Sequence, residues 1–357
     1  MLRFKHKRFF LLASLILLVS SVSFASTEGQ EQKEEGEYNA TEVIMHHIAD
    51  SHEWHILDYE KNGETRVVSI PLPIILYADG HLDVFFSSAF HHGEEIVVKG
   101  EREYVLHHGK IYLGEIKHNE NGEITNAKPL DFSITKNVAA MMFSAILIIL
   151  IFISMARKYK KRQVPKGMQS LLEPIVLFVR DDIAIPNIGE KKYKKYMPYL
   201  LTLFFFIWFS NLLGLVPFFP GGANITGNIA VTMVLAVFTM LITNFSGNKG
   251  YWKHIFAAPG VPVWLYPIMI PVEIIGILSK PFALMVRLFA NITAGHIIVL
   301  SLVSLIFIFK SLFISPVSFA FVLFMDVLEL LVATLQAYIF TLLSALFIGM
   351  AVQEESH

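Results

Sequence analysis

The sequence predicts an all-α polytopic membrane protein that carries a small β-rich domain near its amino end. Apolar residues make up 54% of the 357 residues and the mean hydropathy is +0.54, which is too apolar for a soluble domain. After residue 136, several apolar runs are long enough to cross a bilayer. We expect about five spanning helices, the last two long and tilted, together with one interfacial helix. The net charge of -1 shows no basic excess, so nucleic acid is not an expected partner.

The amino end has the features of an export signal. Residues 1–25 combine a basic start, an apolar run and a small-x-small site at Ser23 to Ala25, as in a secretory signal peptide. We expect cleavage after Ala25, and an uncleaved anchor helix is the alternative. Residues 26–39 are acidic and polar and predict a disordered linker. The chain has no cysteine, so an exported segment must be stabilised by its own core.

Residues 40–135 predict a small extracytoplasmic domain rich in β-structure and in histidine. Short β-branched or aromatic runs meet at Asp79-Gly80, and two more meet near His108-Gly109. Asp-Gly between two such runs is a strong hairpin signal. The same segment contains ten of the fourteen histidines.

The histidines between residues 46 and 55 suggest a weak metal site. If that segment is helical, His52 and His55 share a face and supply two ligands, whereas His46 and His47 fall off that face. Two ligands alone make a weak site, and an interfacial amphipathic helix with solvated histidines is the favoured interpretation. A proton-collecting surface is a third interpretation. We therefore predict no cofactor and no established metal site.

Residues 136–357 predict the membrane domain. The first span is followed by a basic cluster at residues 157–162, which indicates a cytoplasmic end and agrees with export of the preceding domain. With the amino-terminal domain outside and about five spans, we expect the carboxyl end in the cytoplasm. An interfacial segment is expected at 164–186, and the further spans are expected at about 199–219, 228–244, 263–309 and 317–352.

The fourth predicted span carries a stripe of charged residues. Glu273, Lys280 and Arg287 are seven residues apart and share one helical face, and Asn291 lies close to that face. His296 is nine residues beyond Arg287 and falls on the opposite side. An arginine at bilayer depth costs at least ~2.5 to 3.5 kcal/mol, so it is a functional residue by default.

The last span offers matching polar residues. Glu329 and Gln336 are seven apart and share a face, with Asp326 one turn earlier. If the two helices are antiparallel, Arg287 lies at the depth of Gln336 and His296 at the depth of Glu329. Straight helices cannot bring both layers into contact, because Arg287 and His296 point in opposite directions. The His296 and Glu329 pair is either buried polar glue or a proton relay, since both groups can titrate near neutral pH.

Three motifs together resemble subunit a of the F-type ATP synthase. They are LSKPFALMVRLFANITAGH at 278–296, NLLGLVPF at 211–218 and TLQAYIF at 334–340. The resemblance covers about residues 139–352. It implies that Arg287 faces the rotor ring and stops protons from passing directly between two half-channels.

The resemblance also implies the other roles in the proton path. His296 and Glu329 are expected to line the half-channel from the extracytoplasmic side, Asn291 and Gln336 to be polar partners near the arginine, and Glu273 to belong to the cytoplasmic exit path. The implied partners are a ring of c subunits, the b subunits of the peripheral stalk, the F1 head and the lipid of a bacterial inner membrane. The segment from 40 to 130 extends beyond the short common form of the family.

The implied activity is proton transport coupled to ATP synthesis, by a subunit that is not catalytic alone. No GxxxxGK[ST] phosphate loop occurs in the sequence. Two other classes of function stay open from the residues: a self-contained ion channel or transporter, and a membrane-anchored extracytoplasmic metal-binding module.

Overall fold

The computed structural model describes residues 41, 44–45, 48–61, 64–93, 95–107, 109–117, 119, 124–160, 166–216, 219–256, 262–309 and 314–353. The predicted signal peptide and acidic linker lie outside these residues, as do His46 and His47. The chain divides into two compact units, each made of several segments. The first consists of residues 1–142, 214–224 and 297–326, and the second of residues 143–213, 225–296 and 327–357.

In its described residues, the first unit contains eight short strands in three antiparallel sheets. β1 and β2 form a two-stranded sheet, β4, β3 and β8 form a second in that order, and β5, β6 and β7 form a third. The strands are β1 Glu53–Lys61, β2 Glu64–Pro71, β3 Pro73–Ala78, β4 His81–Phe86, β5 Val97–Lys99, β6 Arg102–His107, β7 Lys110–Leu113 and β8 Leu130–Asp131.

Both predicted hairpins are present. Ala78 pairs with His81 across the Asp79-Gly80 turn, and His107 pairs with Lys110 across the second turn. Asp79 and Gly80 have φ angles of 50° and 80°, the left-handed conformation that a two-residue hairpin turn requires. The helix proposed for residues 46 to 55 is wrong at its carboxyl end, because β1 begins at Glu53.

A small core holds the second and third sheets together. Its buried side chains include Ile74, Leu76 and Phe85 from the second sheet and Tyr104 from the third. Arg102 and Tyr104 of β6 both donate hydrogen bonds to the Asp83 carboxylate of β4. An ion pair therefore joins the two sheets beside their shared core.

The start of the first long helix is fixed to the β-rich part of this unit. Asp50 accepts hydrogen bonds from the Thr135 hydroxyl and from the backbone amide of Asn137, at 2.8 and 3.1 Å. The Lys136 amide donates to the carbonyl oxygen of Ser51 at 2.7 Å. These bonds satisfy amides at the first turn of the helix and remove the freedom of a flexible linker.

Five helices in the described part of the chain are long and apolar enough to cross a membrane, which confirms the predicted polytopic fold. The helices are α1 Lys136–Tyr159, α2 Met168–Phe178, α3 Ile185–Ile188, α4 Tyr193–Gly214, α5 Ile229–Ser246, α6 Lys249–Phe256, α7 Tyr266–Phe309 and α8 Ile314–Val352, with a π-helical turn at Val179–Ala184. The second span thus begins near residue 193 rather than 199, and α6 was not predicted.

The apolar core of the second unit is built around α4. Leu200, Phe205 and Ile207 of α4 are fully buried, and they belong to one cluster with Leu288 of α7 and Ala345 of α8. α7 continues without a break for 44 residues, although it contains Pro271 and Pro281.

Candidate functional site

The polar stripe of α7 divides according to the burial of its faces. Leu284, Leu288 and Ile292 are buried, whereas Arg287 and Asn291 are exposed on the adjacent side of the helix. The rotation of about 100° per residue explains this division. Arg287 therefore presents its guanidinium away from the core of its own unit.

Arg287 has no hydrogen bond or ion pair with any described residue of the chain, although its position is near the middle of the apolar span Tyr266–Ile306. An arginine in contact with lipid at that depth is unfavourable by several kcal/mol. The exposed guanidinium consequently requires an anionic or polar partner that this chain does not provide in the described residues.

His296 and Glu329 are in contact, as their predicted depth requires. The His296 Nδ1 and Glu329 Oε1 atoms are 3.2 Å apart, and the two side chains are 21% and 5% exposed. The helical periodicity that exposes Arg287 turns His296 towards α8. An imidazole and a carboxyl group at this separation can share and pass a proton.

Gly295 makes room for the Glu329 carboxyl group. A Cβ atom at Gly295 would lie 3.1 Å from Glu329 Oε1 and 3.2 Å from its carboxyl carbon, which is closer than ordinary contact. The contact between His296 and Glu329 therefore needs a residue without a side chain at position 295, the glycine of the AGH motif.

Gln336 and Arg287 do not form the second polar layer expected from their depth. Gln336 is only 4% exposed, whereas Arg287 is exposed, and no hydrogen bond joins them among the described residues. This agrees with the expectation that straight helices cannot bring both polar layers into contact, because Arg287 and His296 point in opposite directions. The layer of His296 and Glu329 is a contact within the chain, and the layer of Arg287 and Gln336 is not.

Glu273 and Lys280 lie towards the amino end of α7 and are partly exposed. Burial raises the pKa of Tyr251 in α6, and the negative charge of Glu273 raises it further. Lys280 Nζ lies 5.5 Å from the ring centre of Phe347, and it lines a small cavity together with Asn244 and Tyr251. Polar groups of α6 and α7 therefore converge in this region.

A buried polar cluster between the amino half of the second unit and α8 was missed by the sequence reasoning. Asn211 accepts a hydrogen bond from the Thr226 hydroxyl and donates one to the carbonyl oxygen of Ala333, one turn beyond Glu329. Beside this buried cluster, Trp208 donates an exposed hydrogen bond to the Thr334 hydroxyl, at 3.1 Å. Asn211 is a lone amide in an apolar span, and that isolation is the signal that could have identified it.

His52 and His55 do not form the suggested two-ligand face. Their common face needed a helix, but β1 begins at Glu53, so the periodicity that would align them is absent. His52 is 6% exposed, and its Nε2 atom lies 2.8 Å from Asp131 Oδ2. Burial acts to raise the pKa of Asp131, but hydrogen bonds from His52 and Ser133 outweigh it, so the pKa lies below its usual value. No group of three His, Cys, Asp or Glu suited to a metal occurs among the described residues.

The chain is similar to known proteins over two separate regions. The family described as ATP synthase A chain matches residues 139–349, and a family described as a domain of unknown function matches residues 43–132. ATP synthase subunit a of Chloroherpeton thalassium is 52% identical over 235 residues, which cover 64% of this chain and 69% of that protein.

Further relatives agree. ATP synthase subunit a 2 of Chlorobaculum tepidum is 50% identical over 237 residues, covering 64% of this chain and 66% of that protein. ATP synthase subunit a of Myxococcus xanthus is 47% identical over 234 residues, covering 64% and 76% respectively.

Proposed function

The chain belongs to the ATP synthase subunit a family, and from this premise we propose that Arg287 separates two proton half-channels at the surface facing the rotor. The protein is a multi-pass membrane protein and a subunit of the F-type ATP synthase, in which subunit a is the proton-translocating part of the stator. The roles of single residues, the orientation and the individual partner subunits are parts of the proposal.

The exposed Arg287 side chain carries this proposal. A carboxyl group of the c ring can face lipid when protonated, but it needs a counter-charge when ionised. Arg287 supplies that charge and never releases its own proton, because the guanidinium stays protonated at any physiological pH. A proton therefore cannot pass through Arg287, and must travel with the ring from one half-channel to the other.

His296 and Glu329 form the last protonatable step of the half-channel from the extracytoplasmic side. Their 3.2 Å separation supports transfer between them, and the buried polar groups of Asn211 and Thr226 extend towards the same part of α8. Glu273 belongs to the path that releases protons to the cytoplasm. Asn291 and Gln336 are the polar partners near the arginine. Asn291 lies one turn from Arg287 on its exposed face, and Gln336 is a buried residue of α8.

The partners follow from the same assignment. The exposed face around Arg287 meets the ring of c subunits, while the b subunits and the F1 head are joined through the stator. The location is the bacterial inner membrane, with the β-rich domain outside and the carboxyl end in the cytoplasm. The chain has no catalytic role in ATP chemistry alone.

Replacement of the arginine tests this function. Arg287→Ala should reduce proton-driven ATP synthesis in membrane vesicles to background, because an ionised ring carboxyl then has no counter-charge. Arg180→Ala is the matched control, since it removes an exposed arginine that pairs with Asp181 outside the spanning helices. The c ring and the ATPase head should copurify with both variants. Normal synthesis by Arg287→Ala would refute the assignment, and a chain that purifies without either partner would favour a self-contained channel or transporter.

A further inference from the structure

One face of the β4-β3-β8 sheet carries exposed apolar side chains. The other face of the same sheet packs Ile74, Leu76 and Phe85 into the core of the domain. The residues of the exposed face each leave between 43% and 63% of their surface open, and we call them the outer sheet face: Tyr77, Leu82, Val84, Phe86, Leu130 and Phe132.

The strand register makes this face continuous. Tyr77 on the central strand is paired with Leu82 of β4 on one side and with Leu130 of β8 on the other. Two residues away on the same strand, Ile75 is paired with Val84. Neighbouring strands are about 4.8 Å apart, so the side chains touch one another across the sheet. They form a contiguous exposed apolar patch, and such a patch marks an interaction surface rather than scattered exposure.

The unbroken apolar character of the outer sheet face indicates that this face is covered in the working protein. An antiparallel sheet with one face in water normally alternates apolar and polar residues along each strand. In β4 the outward positions are Leu82, Val84 and Phe86, and no polar residue interrupts them.

The short connection to α1 favours the bilayer as the covering surface. Phe132 lies four residues before Lys136, so it is at most about 14 Å from the first residue of a membrane-spanning helix. The headgroup region beside the hydrocarbon core is itself roughly 5 to 7 Å thick. Because Asp50 binds both Thr135 and Asn137, this connection is held in place and does not act as a flexible tether.

The residue types agree with that location. Tyrosine and phenylalanine together with leucine and valine are suited to the boundary between headgroups and acyl chains. We propose that the outer sheet face lies flat on the lipid leaflet at its own side of the membrane, so that all three strands contact lipid.

Single labels in the full-length chain test this proposal. The chain has no cysteine, so Val84→Cys provides one site for an environment-sensitive fluorophore. Val84 lies on the strand farthest from β8, and only a flat orientation of the sheet brings it to the lipid. Val98→Cys is the matched control, because Val98 has the same 59% exposure as Val84. Val98 lies in the third sheet, where it is paired with Glu103.

The measurement compares quenching by lipids carrying a nitroxide near the headgroup with quenching by iodide in water. It is made on the chain reconstituted alone in vesicles and on the complete synthase. In both preparations the label at residue 84 should be quenched by the lipid nitroxide at least about two-fold more than the label at residue 98, and less by iodide. Phe86→Cys should repeat the result if the first variant folds poorly.

Two outcomes would overturn the proposal. Equal iodide quenching at residues 84 and 98 would mean that the outer sheet face is in water. Protection of residue 84 from both quenchers in the complete synthase alone would mean that another protein subunit covers it. Neither outcome bears on the role of Arg287.

Discussion

At the scale of single residues, the two faces of α7 have different tasks because of a simple angular relation. Arg287 and His296 are nine residues apart, and nine steps of about 100° place them on opposite sides of the helix. The exposed side carries a permanent charge without a partner among the described residues, and the inward side carries a titratable pair. The helix itself thereby separates a group that must not transfer protons from groups that must.

Gly295 offers a direct test of the titratable pair. Gly295→Ala should lower proton flux through the assembled synthase several-fold, because the new Cβ atom would lie 3.1 Å from Glu329 Oε1 and displace the carboxyl group from His296. Gly276→Ala in the same helix is the control, since a Cβ atom there meets nothing within 4 Å. Alanine in a helix interior is favoured over glycine by up to about 1 kcal/mol, so the control should assemble normally. Equal proton pumping by the two variants would show that the geometry at Gly295 is unimportant.

At the scale of elements, the sequence predicted those features that depend on residues close together in the chain. Asp79-Gly80 specified a hairpin because those residues accept the left-handed conformation that the turn needs. The strand β1 was missed because its pairing partner, β2, and not its own composition, decides its structure. The buried state of Asn211 and the different surroundings of Arg287 and Gln336 depend on packing against other helices, which spacing within one helix does not contain.

The ion pair between β4 and β6 makes the extramembrane domain sensitive to acid. Hydrogen bonds from Arg102 and then from Tyr104 hold the pKa of the Asp83 carboxyl below its usual value. A carboxyl group with a depressed pKa stabilises the folded state fully above its unfolded pKa of about 3.9, and this stabilisation is lost as the pH falls towards the folded pKa. Acid should therefore weaken the joint between the two sheets only below about pH 4.

Hydrogen exchange of the β6 amides in the full-length chain measures this effect. After correction for the intrinsic exchange rate at each pH, Asp83→Asn should show less protection at neutral pH than the unaltered chain, and its protection should respond less to acid below about pH 4. Asp79→Asn is the control, because it removes a carboxyl group from the turn and leaves a residue that tolerates positive φ. An unchanged acid response in Asp83→Asn would place the acid-sensitive group elsewhere.

At the scale of the whole molecule, burial distinguishes the roles of the spanning helices. In the most apolar stretch of α4, 39% of the residues are buried within the chain, whereas in the most apolar stretch of α1 only 11% are buried. α4 therefore forms the interior of the second unit, whereas most of α1 is available to lipid or to other subunits. The polar and basic segments that flank these helices decide which end lies on which side of the membrane.

The orientation proposed from those flanks can be measured on the intact chain. Glu101 lies in the β-rich domain and Lys160 lies directly after α1, so one membrane crossing separates them. Both are exposed and the chain has no other thiol, so Glu101→Cys and Lys160→Cys can each be labelled specifically. In intact cells with a permeabilised outer membrane, an impermeant maleimide should label residue 101 directly, and residue 160 only after the inner membrane is opened, because the basic cluster at 157–162 is retained in the cytoplasm. Labelling of residue 160 before the inner membrane is opened would reverse the topology, and it would exchange the access and exit sides assigned to Glu329 and Glu273.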